Sequence, residues 1–387
     1  MNELIKRESM IVLGSTGSVG TQALDVAART NTPVEAVCAH RDVDTVETQA
    51  RKFGVRMCAM ADESAAADLK TRLADTSVFV YGGENGIAQM IADATSPIAL
   101  NSIIGEAGLS STLAVLRSGK QLALANKESL VVAGEIVMRE ARAKGIRIRP
   151  VDSEHCAIAQ ALSAGRHEEV KRLILTASGG PFFGKKREEL TNVRAADALA
   201  HPTWNMGAKI TIDSASMMNK GFEIIEAAYL FDIPADRIDV VVHRESIIHS
   251  MVEYIDHSII AQMSVPDMRH CIQHALTDPY REAATIAPLD LISVGKLTFA
   301  APDEQTFPLL GMARRAMQEG GATAAVLNAA NEIAVDAFLH DRIGFQTLSD
   351  LVCEVVEQLP EAKRAHTLEE ILYYDRLARQ TAISHIK

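Results

Sequence analysis

The chain has little of what would place it outside a reducing, aqueous compartment. Only five of its 387 residues are cysteine: Cys38, Cys58, Cys156, Cys271 and Cys353. They are odd in number and lack CxxC spacing, which excludes a disulfide framework and a zinc cage. No stretch approaches the roughly 20 apolar residues of a membrane span, and the opening MNELIKRESM has no apolar signal core. The expectation is a cytoplasmic protein with no membrane partner. Positive charge is scarce too, with 39 Lys and Arg against 50 Asp and Glu and a net charge of -11. No basic stripe is visible, which argues against nucleic acid as a partner. Aromatics make up 4%, with one tryptophan, Trp204. Internal repeats and low-complexity tracts are missing as well.

What is present is apolar and periodic. A composition 48% hydrophobic suffices for a large core, and the length predicts two or three domains. Over residues 1–150, MIVLGS, VEAVCAH, MCAMA, SVFVYG, QLALAN and IRIRPV read as strands. Between them TQALDVAART, VETQARKFG, LSSTLAVLRSG and SLVVAGEIVMREARAKG read as helices. The alternation predicts an α/β chain whose N-terminal domain is a Rossmann-like, doubly wound parallel sheet with right-handed crossovers. Residues 151–277 hold LILTASGGPF, KITIDSA, VVHRESIIHSMVEYID and SIIAQMSVP, read as strands among helices, and predict a central α+β catalytic domain. Residues 278–308, with Pro279, Pro288, Pro302 and Pro308, read as a surface linker. From 309 to 387 the 3.6-residue apolar spacing predicts a C-terminal helical bundle.

The loop GSTGSVG, residues 14–20, falls between the first strand and the first helix. Its glycines suit a tight turn and close approach to a pyrophosphate, so a dinucleotide is the natural ligand, although a plain structural turn would use them too. After the second strand, Arg41 favours a 2'-phosphate and hence NADP, while Asp42 and Asp44 pull the other way. In VDSEH, Asp152 and Glu154 stand two apart at the end of the last strand, where ligands of an open parallel sheet bind. Such paired oxygens suit Mg or Mn. On local sequence alone a helix cap at Asp152 or Ser153, with Glu154 at the positive end of the helix, is the stronger explanation.

A second polar cluster lies in HPTWNMGAKITIDSASMMNKGFEIIEA, residues 201–227. Ser214, Asn219 and Lys220 at a helix start are where a phosphate would sit, with Glu223 or Glu226 as a third carboxylate. Ser178 in TASGGPFFG offers a further donor, though turn chemistry alone explains its glycines. Trp204, beside His201 and Met206, suits a lid or a loop pinned to the core. Two minority readings remain: a zinc pair from His270 and His274, and Cys156 as a nucleophile.

Taken in order, GSTGSVG, ALANKES, VDSEH, TASGGPF, HPTWNMGAKITIDSASMMNKGFE and VLNAANE resemble the 1-deoxy-D-xylulose 5-phosphate reductoisomerase family over essentially the whole chain. That resemblance implies NADPH, a divalent metal and a sugar phosphate substrate, with production of 2-C-methyl-D-erythritol 4-phosphate for isoprenoid synthesis. By the same resemblance Asp152, Glu154 and Glu223 are the metal ligands. Lys127, Ser153, Glu154, Ser178, His201, Ser214, Asn219, Lys220 and Glu223 touch substrate, and Lys127 and His201 join the three acids in catalysis. Thr16, Gly17, Ser18, Val19, His40, Arg41, Asp42, Asn126, Glu128 and Gly207 form the cofactor site. The family is a homodimer whose loop, here His201 to Met206, closes over substrate. The family often has asparagine where this chain has Asp42, but the basic residue is kept. A metal-assisted NADP dehydrogenase without carbon rearrangement is the alternative enzyme, and a dinucleotide-sensing protein without turnover the alternative from another class.

Overall fold

In a computed structural model that describes residues 8–105, 107–204 and 206–386, the N-terminal alternation becomes one seven-stranded sheet. Its strands are β1 (Met10–Leu13), β2 (Val34–Ala39), β3 (Met57–Met60), β4 (Phe79–Gly82), β5 (Ile98–Asn101), β6 (Gln121–Leu124) and β7 (Arg149–Pro150). All neighbours pair in parallel, in the order β4-β3-β2-β1-β5-β6-β7. Helices α1 (Ser18–Thr30), α2 (Val43–Phe53), α3 (Glu63–Arg72), α4 (Gly83–Asp93), α5 (Ala107–Arg117) and α6 (Glu128–Ala143) follow successive strands. Every residue of β1, β2 and β3 is buried, as a parallel sheet covered on both faces requires. Strand order reverses direction between β1 and β5, and the crevice at such a switch point is where these sheets take ligands. The N-terminal residues MNELIKR, read for a signal core, and Asn205 of the expected lid lie outside the described residues.

In the N-terminal domain three elements escape the sequence reading: α3, α4 and β5. In α3 only Ala65, Ala66 and Leu69 are buried, so its apolar stripe is too weak to show a 3.6-residue period. Instead Asp62 announces it, accepting from the backbone N–H groups of Ser64 and Ala65. The run IRIRPV pairs only at Arg149 and Pro150, since proline has no N–H to extend the ladder.

Next in the chain come α7 (Ser153–Ala161), β8 (Val170–Ala177), α8 (Ala195–Leu199), α9 (Ala208–Ala215), α10 (Met218–Phe231), β9 (Ile238–Val242), β10 (Ile248–Tyr254) and β11 (Ile259–Met263). Strands β11-β10-β8-β9 form a mixed sheet, parallel only between β8 and β9. KITIDSA, expected as a strand, is the helix α9. Its alternating β-branched residues mimic period 2, but Thr211 Oγ1 bonds the Gly207 carbonyl at 2.8 Å and Lys209 pairs with Asp213 one turn on. These i to i+4 ties belong to a helix. Helices α11 (Met268–Thr277), the single turn α12 (Leu291–Val294), α13 (Leu309–Glu319), α14 (Thr323–Leu339), α15 (Phe345–Gln358) and α16 (Leu368–His385) complete the chain.

By contact density the chain forms two compact units. One comprises the described residues up to Ser129, with Val137–Cys156 and Asp267–Ala287; Ile272 and Ala275 of α11 enter its core beside Met10, Leu24 and Leu100. The other comprises Leu130–Ile136, Ala157–Pro266 and the described residues from Pro288 onward. No described helix is long and apolar enough to cross a membrane.

Candidate active site

In the first unit, GSTGSVG joins β1 to α1 at the switch point. Gly14 has φ +80°, and a Cβ there would lie 2.8 Å from the Ser102 backbone; a Cβ on Gly20 would lie 2.2 Å from the Gly14 carbonyl oxygen. Both are therefore sterically obligatory. Gly17, the N-cap of α1, has no side-chain cap, so the helix start presents amides to whatever occupies the crevice. Gly17 and Ser18 are exposed there, and Thr16 and Val19 are half-buried beside them.

The acids that blurred the cofactor reading are already engaged. Asp42 Oδ1 accepts from the Thr45 N–H at 3.1 Å as the N-cap of α2, and Asp44 pairs with Arg72. Arg41, exposed beside His40, is held at 2.8 Å by Asp62. The Ser64 hydroxyl, the Ala65 amide and Arg41 keep the Asp62 carboxyl well below the usual range, so it stays an anion. Asn126 and Glu128 are buried after β6. The Asn126 amide donates to Glu128 at 2.9 Å and to the Gly105 carbonyl at 3.0 Å, while its oxygen accepts from the Ser129 N–H.

At the end of β7, Asp152 serves three partners at once. Its Oδ1 accepts from the Glu154 N–H at 3.1 Å and lies 3.0 Å from His155 Nδ1; its Oδ2 takes an ion pair from buried Lys127 at 3.0 Å. It is thus both the helix cap and a positioned anion. One oxygen of Asp152 and one of Glu154 lie within 4.8 Å of each other. The Ser153 hydroxyl donates to Glu154. This is a hard-oxygen pair with one lysine to offset the charge, which fits Mg or Mn and not zinc.

In the second unit, the polar groups gather at the carboxyl ends of β8 and β9. Ser178 follows β8, and a Cβ on Gly180 would lie 2.9 Å from the Ser214 carbonyl oxygen, so this turn sits directly on the end of α9. Helix α10 opens with Asn219 and Lys220, both bonded to Glu223, Asn219 at 2.6 Å. Lys220 and Glu223 are almost fully buried, as is Glu226, three residues on. Gly207, placed in the cofactor set, is the exposed N-cap of α9, with open space around it.

His201 Nδ1 accepts from the Thr203 and Trp204 N–H groups at 3.2 and 2.9 Å, which leaves its proton on Nε2, 2.9 Å from Ser178 Oγ. Ser178 Oγ also accepts from the Gly180 N–H at 3.2 Å. With both acceptances used, the serine hydroxyl hydrogen is directed to a third group. Burial, then the positive Arg244, lower the His201 pKa below the ordinary histidine value. Protonation would turn Nδ1 into a donor facing two donors. Trp204 lies beside His249, ring centroids 6.3 Å apart.

The minority readings find no support. Cys156 is buried against Cys271 and offers no accessible thiol to a substrate. His274 is partly buried on α11 with a lowered pKa, as desolvation dictates, and its neighbour Cys271 supplies no acid.

Residues 10–134, 148–231 and 263–381 match, in turn, sequence profiles for 1-deoxy-D-xylulose 5-phosphate reductoisomerase, for its C-terminal domain, and for a DXP reductoisomerase C-terminal domain. The 1-deoxy-D-xylulose 5-phosphate reductoisomerase of Acetivibrio thermocellus is 48% identical over 376 residues, covering 97% of this chain and 98% of that protein. The chain belongs to the 1-deoxy-D-xylulose 5-phosphate reductoisomerase family.

Solved reductoisomerase structures agree in fold. The enzyme from Zymomonas mobilis, in complex with NADPH, has a TM-score of 0.92 at 40% identity and covers 99% of this chain and 100% of its own. A DOX-P reductoisomerase with NADPH, fosmidomycin and magnesium has a TM-score of 0.91 at 38% identity, with 98% of each chain covered. Another stretch that carries the family resemblance, VLNAANE on α14, serves as scaffolding. Asn331 donates to buried Asp213 at 2.7 Å, and Glu332 pairs with Arg379 of α16 at 2.8 Å. Sequence reasoning gave those asparagines no structural task; two Asn on a buried helix are the signal that such a tie exists.

Proposed function

We propose that this chain converts 1-deoxy-D-xylulose 5-phosphate to 2-C-methyl-D-erythritol 4-phosphate, a rearrangement followed by reduction, with NADPH and a divalent metal. Full-length membership of the reductoisomerase family carries the reading. The same membership disfavours the dehydrogenase without rearrangement and the sensor. In this proposal Asp152, Glu154 and Glu223 hold Mg or Mn. When bound, the metal supplies a fixed Lewis acid toward the substrate's carbonyl and neighbouring hydroxyl oxygens. Lys127 balances Asp152 and orients it by its ion pair. Ser153 steadies Glu154. Ser178, Ser214, Asn219 and Lys220 take the phosphate, and remote binding there orients the reacting carbons. His201 to Met206 closes over them and excludes water. Thr16, Gly17, Ser18 and Val19 receive the NADPH pyrophosphate, and His40, Arg41 and Asp42 flank the ribose phosphate. Asn126, Glu128 and Gly207 complete that site. A homodimer, a cytoplasmic location and a place in isoprenoid precursor synthesis belong to the same proposal.

The test is NADPH oxidation with 1-deoxy-D-xylulose 5-phosphate and Mg or Mn, with and without EDTA, and analysis of the product. Metal-dependent formation of a branched polyol phosphate is expected. An unbranched product would favour the dehydrogenase, and no consumption would favour the sensor.

Two further results are expected. Arg41→Ala should raise KM for NADPH roughly tenfold, the value of one charge-assisted contact, with KM for NADH unmoved; equal changes for both nucleotides would remove Arg41 from the 2'-phosphate. KM for substrate should rise as pH falls below the ordinary histidine range, because a protonated His201 cannot accept from Thr203 and Trp204. His201→Asn, whose side-chain oxygen accepts but does not titrate, should flatten that limb. A limb unchanged in the variant would assign it to another group.

A further inference from the structure

We propose that Arg244 is a positioning residue that couples the phosphate-binding turn to the lid segment His201–Trp204. This rests on the reading of Ser178 as a phosphate contact, and goes beyond it to a residue that neither the sequence motifs nor the family resemblance single out.

Arg244 stands in the turn between β9 and β10, beside the turn Ser178–Gly180 that follows β8. Since β8 and β9 run parallel and pair from Leu173 with Ile238 to Ala177 with Val242, both turns emerge at the same end of these strands. The Arg244 guanidinium donates from Nη1 to the Gly180 carbonyl at 2.8 Å and to the Ser178 carbonyl at 3.4 Å. Its Cζ stacks 5.1 Å from the centre of the Phe183 ring. It therefore grips the glycine turn at both ends, and in a trans peptide a carbonyl aimed at Arg244 turns the next residue's N–H to the opposite side. The same residue reaches the lid through its backbone, whose carbonyl accepts from Thr203 Oγ1 at 3.5 Å. Its charge is also felt at His201.

The platform under Arg244 is rigid. His243 is buried, and its Nε2 accepts from the N–H groups of Ile247 and Ile248 at 3.2 and 3.1 Å, while Nδ1 donates to the Thr298 carbonyl at 2.9 Å. Ser246 closes the turn at φ +51°. Glu245 is turned away, toward Thr298, with a hydroxyl contact at 2.6 Å. Among the described residues no acidic side chain forms an ion pair with Arg244, so its charge stays directed at the turn. Phosphate arriving at Ser178 meets a turn already oriented, and any shift of that turn is passed through Arg244 to Thr203 and its neighbour Trp204.

Trp204 is the single tryptophan of the chain, so intrinsic fluorescence reports the lid segment directly. The full-length protein would be titrated with inorganic phosphate as wild type, Arg244→Gln and Arg244→Lys, and steady-state constants measured for substrate and NADPH. The wild type is expected to show a saturable fluorescence change. In Arg244→Gln the midpoint for phosphate and KM for substrate should each rise about tenfold, with KM for NADPH and kcat within a factor of about two. Arg244→Lys, which keeps charge but not the fork and the stack, should fall between and serves as the deciding variant if Arg244→Gln does not fold. Unchanged phosphate and substrate constants in a variant whose wild type responds would overturn the coupling while leaving the reductoisomerase reading intact. A parallel loss of NADPH affinity and thermal stability would reduce Arg244 to a structural residue and overturn it as well. A wild type with neither phosphate response nor turnover would sink the reading beneath it.

Discussion

Glu154→Gln is expected to lower turnover of 1-deoxy-D-xylulose 5-phosphate by on the order of 10²–10³-fold, the effect of removing one electrostatic stabiliser at a reacting oxygen. The substitution keeps shape and the contact from Ser153, and subtracts only the charge that sits within 4.8 Å of Asp152. Two carboxylates close together repel, and that repulsion is relieved by a divalent cation. The variant should therefore hold the metal more weakly, bind NADPH normally and keep its Tm. Excess Mn should recover part of the rate. Full activity in Glu154→Gln, beside a wild type that EDTA silences, would take Glu154 out of the metal site.

Lys220→Met should produce two losses that can be separated. The first is functional and follows from the proposed phosphate contact of Lys220: substrate should bind on the order of 10²-fold more weakly, read as KM. The second is structural, because Lys220 bonds Glu223 and both are almost fully buried. Taking away the cation leaves a carboxylate in the interior with less compensation, which costs about 3 kcal/mol. A second substitution, Glu223→Gln, should return most of the Tm without returning activity. Additive losses of Tm in the double variant would mean that the pair is not coupled, and would contradict the geometry.

The parts of this molecule that could be read in advance are those in which local chemistry dictates conformation. Gly14 and Gly20 announce the turn because no side chain fits there, and buried β1, β2 and β3 announce the parallel sheet through apolar runs interrupted only by Glu35. Asp152 shows the limit of such reading. A cap and a site anion were weighed as rivals, whereas one oxygen caps α7 and the other faces Lys127. Asp42 shows the same limit in reverse, since its charge was set against NADP and is spent on the first turn of α2. What stayed hidden depended on tertiary neighbours. KITIDSA alternates like a strand, yet it is a helix tied within itself and anchored from outside, with Asp213 fastened to Asn331, 118 residues on. Arg244 carries no motif, and its importance is visible only where β8 and β9 end side by side.

The Phe residues around the glycine turn have a consequence for the order of assembly. Phe182 packs edge-on against Phe345 of α15, with ring centroids 4.9 Å apart, and Phe345 packs in turn on Phe338 of α14 at 5.6 Å. The floor of this glycine turn is therefore made of residues synthesised long after the turn itself. Domains fold on the ribosome largely from the N-terminus onward. A nascent chain would thus own a finished dinucleotide loop, at the β1 to α1 junction, well before it could hold a sugar phosphate. A chain released without its last two helices would keep the turn's sequence but lose Phe345 beneath it, Asp350, which Arg187 grips at 2.7 Å, and Arg379, the clamp on Glu332. Loss of α16 alone would spare both Phe345 and Asp350, so the cut that strips the glycine turn of its floor is one before Phe345.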